Sequence, residues 1–441
     1  MKPRLSAAVS YSLLFKAWQA AAGLVTIPIV IHFLEPALQG YYYTFASLIA
    51  LQSFFELGFG IVISVYASHE WVKLRLDASG RIAGEARARS RILSLGHFVF
   101  RYFGLAALIY LVVIAAIGFN VLSRHADPSI DWRVPLMLHI AFSAISLWLM
   151  PFLSLMEGCN QVAVVARFRL LQSLLANAAL WAALAAGGKL WSVPLFSALN
   201  AALLAGFLFI ARRGFFGSLL EPPAGDRISW RDDLLPMQWR LGVQALFSYM
   251  TFPLYILLAY TYFGAIEAGR MGMTLQIVAG VQSFSLVMIT AKAPELAMLA
   301  ASNDRAALVA TWRRWSKLAL GTMAAAFALL LLLQVSNVGM LTKAIGRVLS
   351  PGVCAALAAG ALIAGVIQCI AVYLRAHKRE ILTPVGVSSG VLYGSSAWWL
   401  GSHFGAPGMA CSYLAVTALV ALPITLHILG RSRHTLRLGE P

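Results

Sequence analysis

The chain has 441 residues, 60% of them hydrophobic and only 12% charged, with a mean hydropathy of +0.78. No soluble domain of this size can place so much apolar surface inside, so composition excludes a soluble enzyme or binding module and implies an all-α polytopic membrane protein. Lysine and arginine number 34 against 17 acids, a formal charge of +17; because these bases lie in short stretches between apolar runs, they read as orientation signals and not as a nucleic-acid surface.

Twelve apolar spans are predicted, near residues 10–34, 40–67, 95–121, 134–156, 168–187, 190–211, 241–263, 272–299, 318–338, 353–374, 381–400 and 407–430. The first follows a basic start, MKPRL, with no small-residue cleavage site, and reads as the cytoplasmic beginning of a span. Lys16 stands near its inner end. The eighteen residues behind it, AWQAAAGLVTIPIVIHFL, are mostly apolar, so its ammonium can snorkel to the inner headgroups.

The second span opens with Tyr41, Tyr42 and Tyr43, which fit an outer aromatic belt. Glu56 lies sixteen residues beyond Gly40, about 24 Å along a helix. An ionised carboxylate cannot face lipid there. A wet cavity and an ion pair with Lys16 are both consistent with it. Gln52 precedes Glu56 by one turn and gives the same face a polar stripe.

Residues 71–93, WVKLRLDASGRIAGEARARSRIL, read as an amphipathic basic helix on the anionic inner leaflet. Arg101 follows near the inner end of the third span, where contact with lipid phosphate is the default. Residues 212–240, with paired prolines and mixed charge, read as a cytoplasmic hinge between an N-terminal six-helix bundle, 1–211, and a C-terminal one, 241–441. The halves resemble repeats. LQSFFEL at 51–57 matches VQSFSLV at 281–287, setting Gln282 against Gln52, and Pro28 and Pro253 occupy similar places. In the eighth span Lys292 and Glu295 flank Pro294 and are placed to pair locally.

With the N-terminus inside, the inner stretches hold 26 of the 34 bases, the outer loops 6, and the spans themselves 2. That asymmetry places both termini in the cytoplasm. GVSSG at 386–390 matches a nucleophile elbow but lacks the strand before it; Gly386, Gly390 and Gly394 read better as a helix-packing ridge. SHEWVK lacks the second histidine of a zinc motif, and no phosphate-binding loop occurs. The cysteines (Cys159, Cys354, Cys369, Cys411) are scattered through apolar sequence as small core residues. No cofactor, metal or catalytic residue is expected.

FLEPALQGYYYTFASLIALQSFFELGFG, followed by ASHEW and a basic linker, resembles the bacterial polysaccharide exporters. These are the O-antigen and related lipid-linked oligosaccharide flippases of the multidrug/oligosaccharidyl-lipid/polysaccharide superfamily. The resemblance is sharpest over residues 10–70. It implies a V-shaped pair of six-helix bundles around a central cavity in the bacterial inner membrane, rocking to move an undecaprenyl-pyrophosphate-linked glycan for surface polysaccharide or lipopolysaccharide. Lys16, Arg101 and Lys292, with Gln52 and Gln282, are the positions that would meet such a substrate. Glu56 and Glu295 would couple an ion or balance charge. Polysaccharide polymerase and glycosyltransferases are the partners implied.

A drug/cation antiporter of the same fold is the nearest alternative, although the spans hold more base than acid. A membrane glycosyltransferase or polymerase would need a sizeable outer loop, and the longest here, SRHADPSIDWRVP, is short. A scaffold for exopolysaccharide assembly is the remaining reading.

Overall fold

Backbone that crosses hydrocarbon must satisfy its own hydrogen bonds, and apolar runs of this length do so as helices. A computed structural model describes residues 7–235, 238–239, 242, 249–302, 304–336, 342–377 and 383–438. The inner end of the seventh predicted span and the start of the eleventh lie outside the described residues. Among those described, nine helices are long and apolar enough to cross a membrane, or ten when the bent pair Pro36–Glu56 and Phe59–Trp71 counts as one span. Two of the nine run to 50 and 44 residues, more than twice the roughly 20 a crossing needs. Each is interrupted by a glycine with left-handed φ, Gly264 (φ 82°) and Gly405 (φ 65°), where two helices meet at a kink. The two kinks fall close to the predicted ends of the seventh and eleventh spans, at 263 and 400.

The chain divides into two compact units, one of residues 1–19 and 45–246, the other of 20–44 and 247–441. The first two helices, α1 (Ala7–Phe33) and α2 (Pro36–Ala50), therefore each contribute to both units. The first unit continues with α3 (Ser53–Glu56), α4 (Phe59–Trp71), a hairpin of β1 (Leu74–Leu76) and β2 (Ile82–Gly84), then α5 (Ala86–Ser123), α6 (Arg133–Gly158), α7 (Val162–Ala185), α8 (Ser192–Gly206) and α9 (Arg213–Leu219). The second holds α10 (Phe252–Thr290), α11 (Ala293–Ala301), α12 (Arg305–Val335), α13 (Pro351–Ala376), α14 (Thr383–Val416) and α15 (Leu422–Leu438).

In the first unit α4 and α6 approach almost to backbone contact. A Cβ on Gly158 would lie 2.4 Å from the Ser64 carbonyl oxygen. Buried His139 meets Ser197 Oγ at 3.0 Å and stacks on Phe45. In the second unit the same economy holds α2 against α10: a Cβ on Gly40 would sit 1.8 Å from the Ala265 carbonyl oxygen. Gln39 donates to the Gly269 carbonyl at 2.8 Å and accepts from the buried Arg347 guanidinium at 3.2 Å.

The tyrosines at the head of α2 correct a sequence expectation. Tyr41 and Tyr43 are 0% and 4% exposed, so they are not belt residues. Tyr41 packs edge-on against Tyr260, and Tyr43 OH donates to Gln276 at 2.6 Å. The exposed aromatics lie elsewhere, among them Trp398, whose indole donates to Tyr262 OH at 2.9 Å.

The stretch 71–93 also departs from expectation. Its first part is the β1–β2 hairpin, antiparallel in the register Leu74–Gly84 and Leu76–Ile82. Asp77 explains why: its Oδ1 accepts from the Ser79 hydroxyl and from the amides of Ser79 and Arg81, closing a turn through Gly80. Those hydrogen bonds, the Ser79 hydroxyl foremost, hold the Asp77 carboxyl below the usual carboxylate range. Helix begins only at Ala86.

Part of the interhalf linker is tied down along the first two turns of α5. Arg89 pairs with Glu221, Arg87 with Asp226 at 2.6 Å, and Ser90 and Ser94 accept the amides of Gly225 and Ile228. Arg91 bridges Glu70 at 2.7 Å and Asp233 at 3.9 Å. The GVSSG stretch is ordinary helix, with Ser388 and Ser389 bonding back to the Val385 carbonyl. Of the proposed glycine ridge, Gly394 is tight against Met250 whereas Gly386 meets open space.

Candidate functional site

Glu56 sits where the second span breaks. Leu57 (φ 43°) and Gly58 (φ 70°) are both left-handed, and α4 leaves at 41° to the segment before it. Glycine accepts this conformation freely, whereas for Leu57 it costs about 1–2 kcal/mol. Helix breaks at membrane depth persist where the freed backbone is buried in protein or meets water. The Glu56 carboxylate accepts one hydrogen bond from Gln52 Nε2, at 2.6 Å.

Beside it is a small cavity of about 30 Å³, enough for ordered water. Its walls are Glu56, Gly60, Phe103, Leu147, Met150, Pro151 and Ser154. Gly60 keeps the wall thin, since a Cβ there would meet Ser154 Oγ at 3.1 Å. Pro151 lies inside α6 and has no N–H to give the Leu147 carbonyl one turn back. A carboxylate and a hydroxyl-bearing residue thus line one mostly apolar recess in the first unit, beside a helix turn that lacks one backbone hydrogen bond. Such a recess suits ordered water or a proton.

The other predicted residues are placed as follows. Lys16 is exposed on α1 and makes no ion pair with Glu56 among the described residues, so the pairing considered for the two is not formed. Its neighbour Trp18 packs on Trp181, ring centroids 6.0 Å apart. Arg101 is exposed on α5, next to Phe100, whose carbonyl accepts from Trp148 Nε1 at 3.0 Å. Gln282 spends its amide on the Ala361 carbonyl at 3.1 Å. Lys292 lies at the break between α10 and α11. It pairs with Glu295 at 2.8 Å and stands 5.0 Å over the Trp315 ring.

The structure therefore brings together Gln52 with Glu56, and Lys292 with Glu295. The recess wall on α6 escaped sequence reasoning. Its signal was present in LWLMPFLS, a proline inside a polar-flecked span, just as LGFG after Glu56 announced the break.

No protein-family model matches the sequence, and no curated protein matches it. The fold does match solved structures. The lipid II flippase MurJ in an inward closed conformation superposes with a TM-score of 0.65 at 12% identity, covering 96% of this chain and 87% of that one. The MATE multidrug transporter DinF-BH, solved as a complex, gives 0.60 at 12% identity over 98% of both chains. An inward-facing multidrug resistance MATE family transporter of the MOP superfamily gives 0.56 at 10% identity, over 94% and 99%. The chain is a multi-pass membrane protein with the helical fold of these transporters.

Proposed function

We propose that the protein is a carrier that passes a lipid-linked oligosaccharide, of the undecaprenyl-pyrophosphate kind, across the bacterial inner membrane by alternating access. The observation that carries this reading is the fold it shares with a lipid flippase over nearly the whole length of both chains. The basic residues near one end of the spans fit an anionic pyrophosphate. In this reading Lys16, Arg101 and Lys292 meet the diphosphate, Gln52 and Gln282 meet sugar hydroxyls, and Glu56 and Glu295 take up a proton or balance charge. The moving bodies would be the two compact units and not the plain halves 1–211 and 241–441, because residues 20–44 pack with 247–441; the segment 212–240 and both termini would be cytoplasmic. The cargo would be a surface-polysaccharide or O-antigen precursor, made by glycosyltransferases and consumed by a polymerase.

A drug/cation antiporter is the second reading. It is favoured by the matches to MATE multidrug transporters and by the carboxylate in the recess. Purified protein in liposomes separates the two. Movement of a fluorescent lipid-linked oligosaccharide, without uptake of a lipophilic cationic dye against a proton gradient, is the expected result. Dye uptake without lipid movement would overturn the first reading in favour of the second.

A further inference from the structure

The helix α12 is longer than a membrane crossing. Its 31 residues span about 46 Å, against a hydrocarbon core of about 30 Å. The stretch from Leu318 to Val335 alone suffices, at about 27 Å. The sequence before it, TWRRWSK, then lies at headgroup level, with Arg313, Arg314 and Lys317 beside two tryptophans.

The two tryptophans fasten this end of the helix to its own unit. Trp312 Nε1 donates to the Cys369 carbonyl at 2.8 Å, and Trp315 carries the Lys292 ammonium on its face. At about 100° per residue, the buried Leu308, Ser316, Ala319 and Met323 fall on one arc. Arg313, Arg314 and Lys317 fall outside that arc and are exposed. Beyond them run Leu318, Leu329, Leu332 and Val335, which are 46%, 55%, 66% and 72% exposed. The outward side of the helix thus carries a basic triad at one end and an apolar track beyond it.

These cations are also uncompensated. In the first unit most bases around the hairpin and the start of α5 are spent on acids, Arg75 excepted: Lys73 on Glu85, Arg81 and Arg89 on Glu221, Arg87 on Asp226, Arg91 on Glu70. Among the described residues Arg313, Arg314 and Lys317 make no such pair. Three neighbouring cations left free beside an apolar track match an amphiphile with a negative head and acyl tails.

We propose that this face of α12 binds an anionic phospholipid, its phosphate held by Arg313, Arg314 and Lys317 and its acyl chains lying along Leu318, Leu329 and Leu332. The inference rests on the chain spanning a bilayer and not on what it carries, so it stands apart from the flippase reading.

The test uses full-length protein in nanodiscs mixing phosphatidylglycerol and phosphatidylcholine. Native mass spectrometry should show phosphatidylglycerol retained preferentially. The triple variant R313Q/R314Q/K317Q should lose that preference by at least about tenfold, since each base near a membrane surface contributes on the order of a factor of five. The variant R75Q/R213Q, which removes two exposed bases of the first unit, should keep it. In the wild-type protein, a photoactivatable phosphatidylglycerol should cross-link within residues 308–332, a result independent of whether the triple variant folds. Cross-links confined elsewhere, no preference in the wild-type protein, or equal displacement by free glycerol phosphate would each overturn the proposal; the last would mark a site for a phosphate ion instead of a lipid.

Discussion

Gly40 and Ala265 meet backbone to backbone: a Cβ on Gly40 would lie 1.8 Å from the Ala265 carbonyl oxygen and 2.4 Å from its carbon. Gly269 faces the same place, its own missing Cβ falling 3.0 Å from the Gly40 nitrogen. This is the small-residue packing by which membrane helices associate when no hydrophobic force between them is available. Gly40→Val should therefore push α2 off α10 and destabilise the protein by about 3 kcal/mol or more, read as a lower unfolding temperature in detergent. Gly23→Ala, where nothing lies within 4 Å, should be neutral or stabilising by up to about 1 kcal/mol. Equal effects from the two would refute the close-packing account.

Glu56→Gln keeps the size of the side chain and its ability to bond Gln52 while removing the ionisable group. If the recess serves transport, this variant should unfold at the wild-type temperature yet lose about tenfold or more in proton-driven transport by proteoliposomes. A variant that transports normally would leave the carboxylate a structural part of the helix break.

Arg91 is three-quarters buried and links Glu70 on α4 with Asp233 on the linker. Arg91→Ala strands both acids. It should cost about 1–3 kcal/mol and raise amide hydrogen exchange across residues 221–233 by about tenfold. Unchanged exchange there would mean that Arg87, Arg89, Ser90 and Ser94 suffice to hold the linker.

Lys292 and Glu295 are partly exposed, 34% and 44% for their side chains. A double-mutant cycle on the pair should yield a coupling of only about 0.3–0.5 kcal/mol. Lys292→Ala should accordingly leave thermal stability nearly unchanged while reducing export of a surface polysaccharide in cells. Full complementation by this variant and by Lys16→Ala would remove the substrate-charge argument.

Hydropathy made the helices legible, because apolar length is a one-dimensional property that needs no knowledge of neighbours. The kinks at Gly264 and Gly405 fall close to the predicted span ends. Exposure was not legible. Tyr41 and Tyr43 have the composition of an interfacial belt, and only the partner residues Tyr260 and Gln276, more than two hundred positions away, decide that they are buried. The hairpin was missed for a local reason: the basic periodicity of 71–93 outweighed the Asp77–Ser79–Gly80 turn chemistry that interrupts it. Glu56 stood out because of its cost in an apolar span. The residues around it did not: Pro151 marks a weak point in its helix, but nothing in the sequence says that Leu147 and Ser154 will stand beside a carboxylate.

Because residues 20–44 pack with 247–441, the obvious place to cut the gene is the wrong one. Expressed alone, a piece ending at residue 211 would carry away two helical stretches that the remainder needs, leaving Ala265, Gly269 and Gln276 with nothing to close upon. Separately made pieces should regain activity only when produced in the same cell, and neither should accumulate as a stable product without the other.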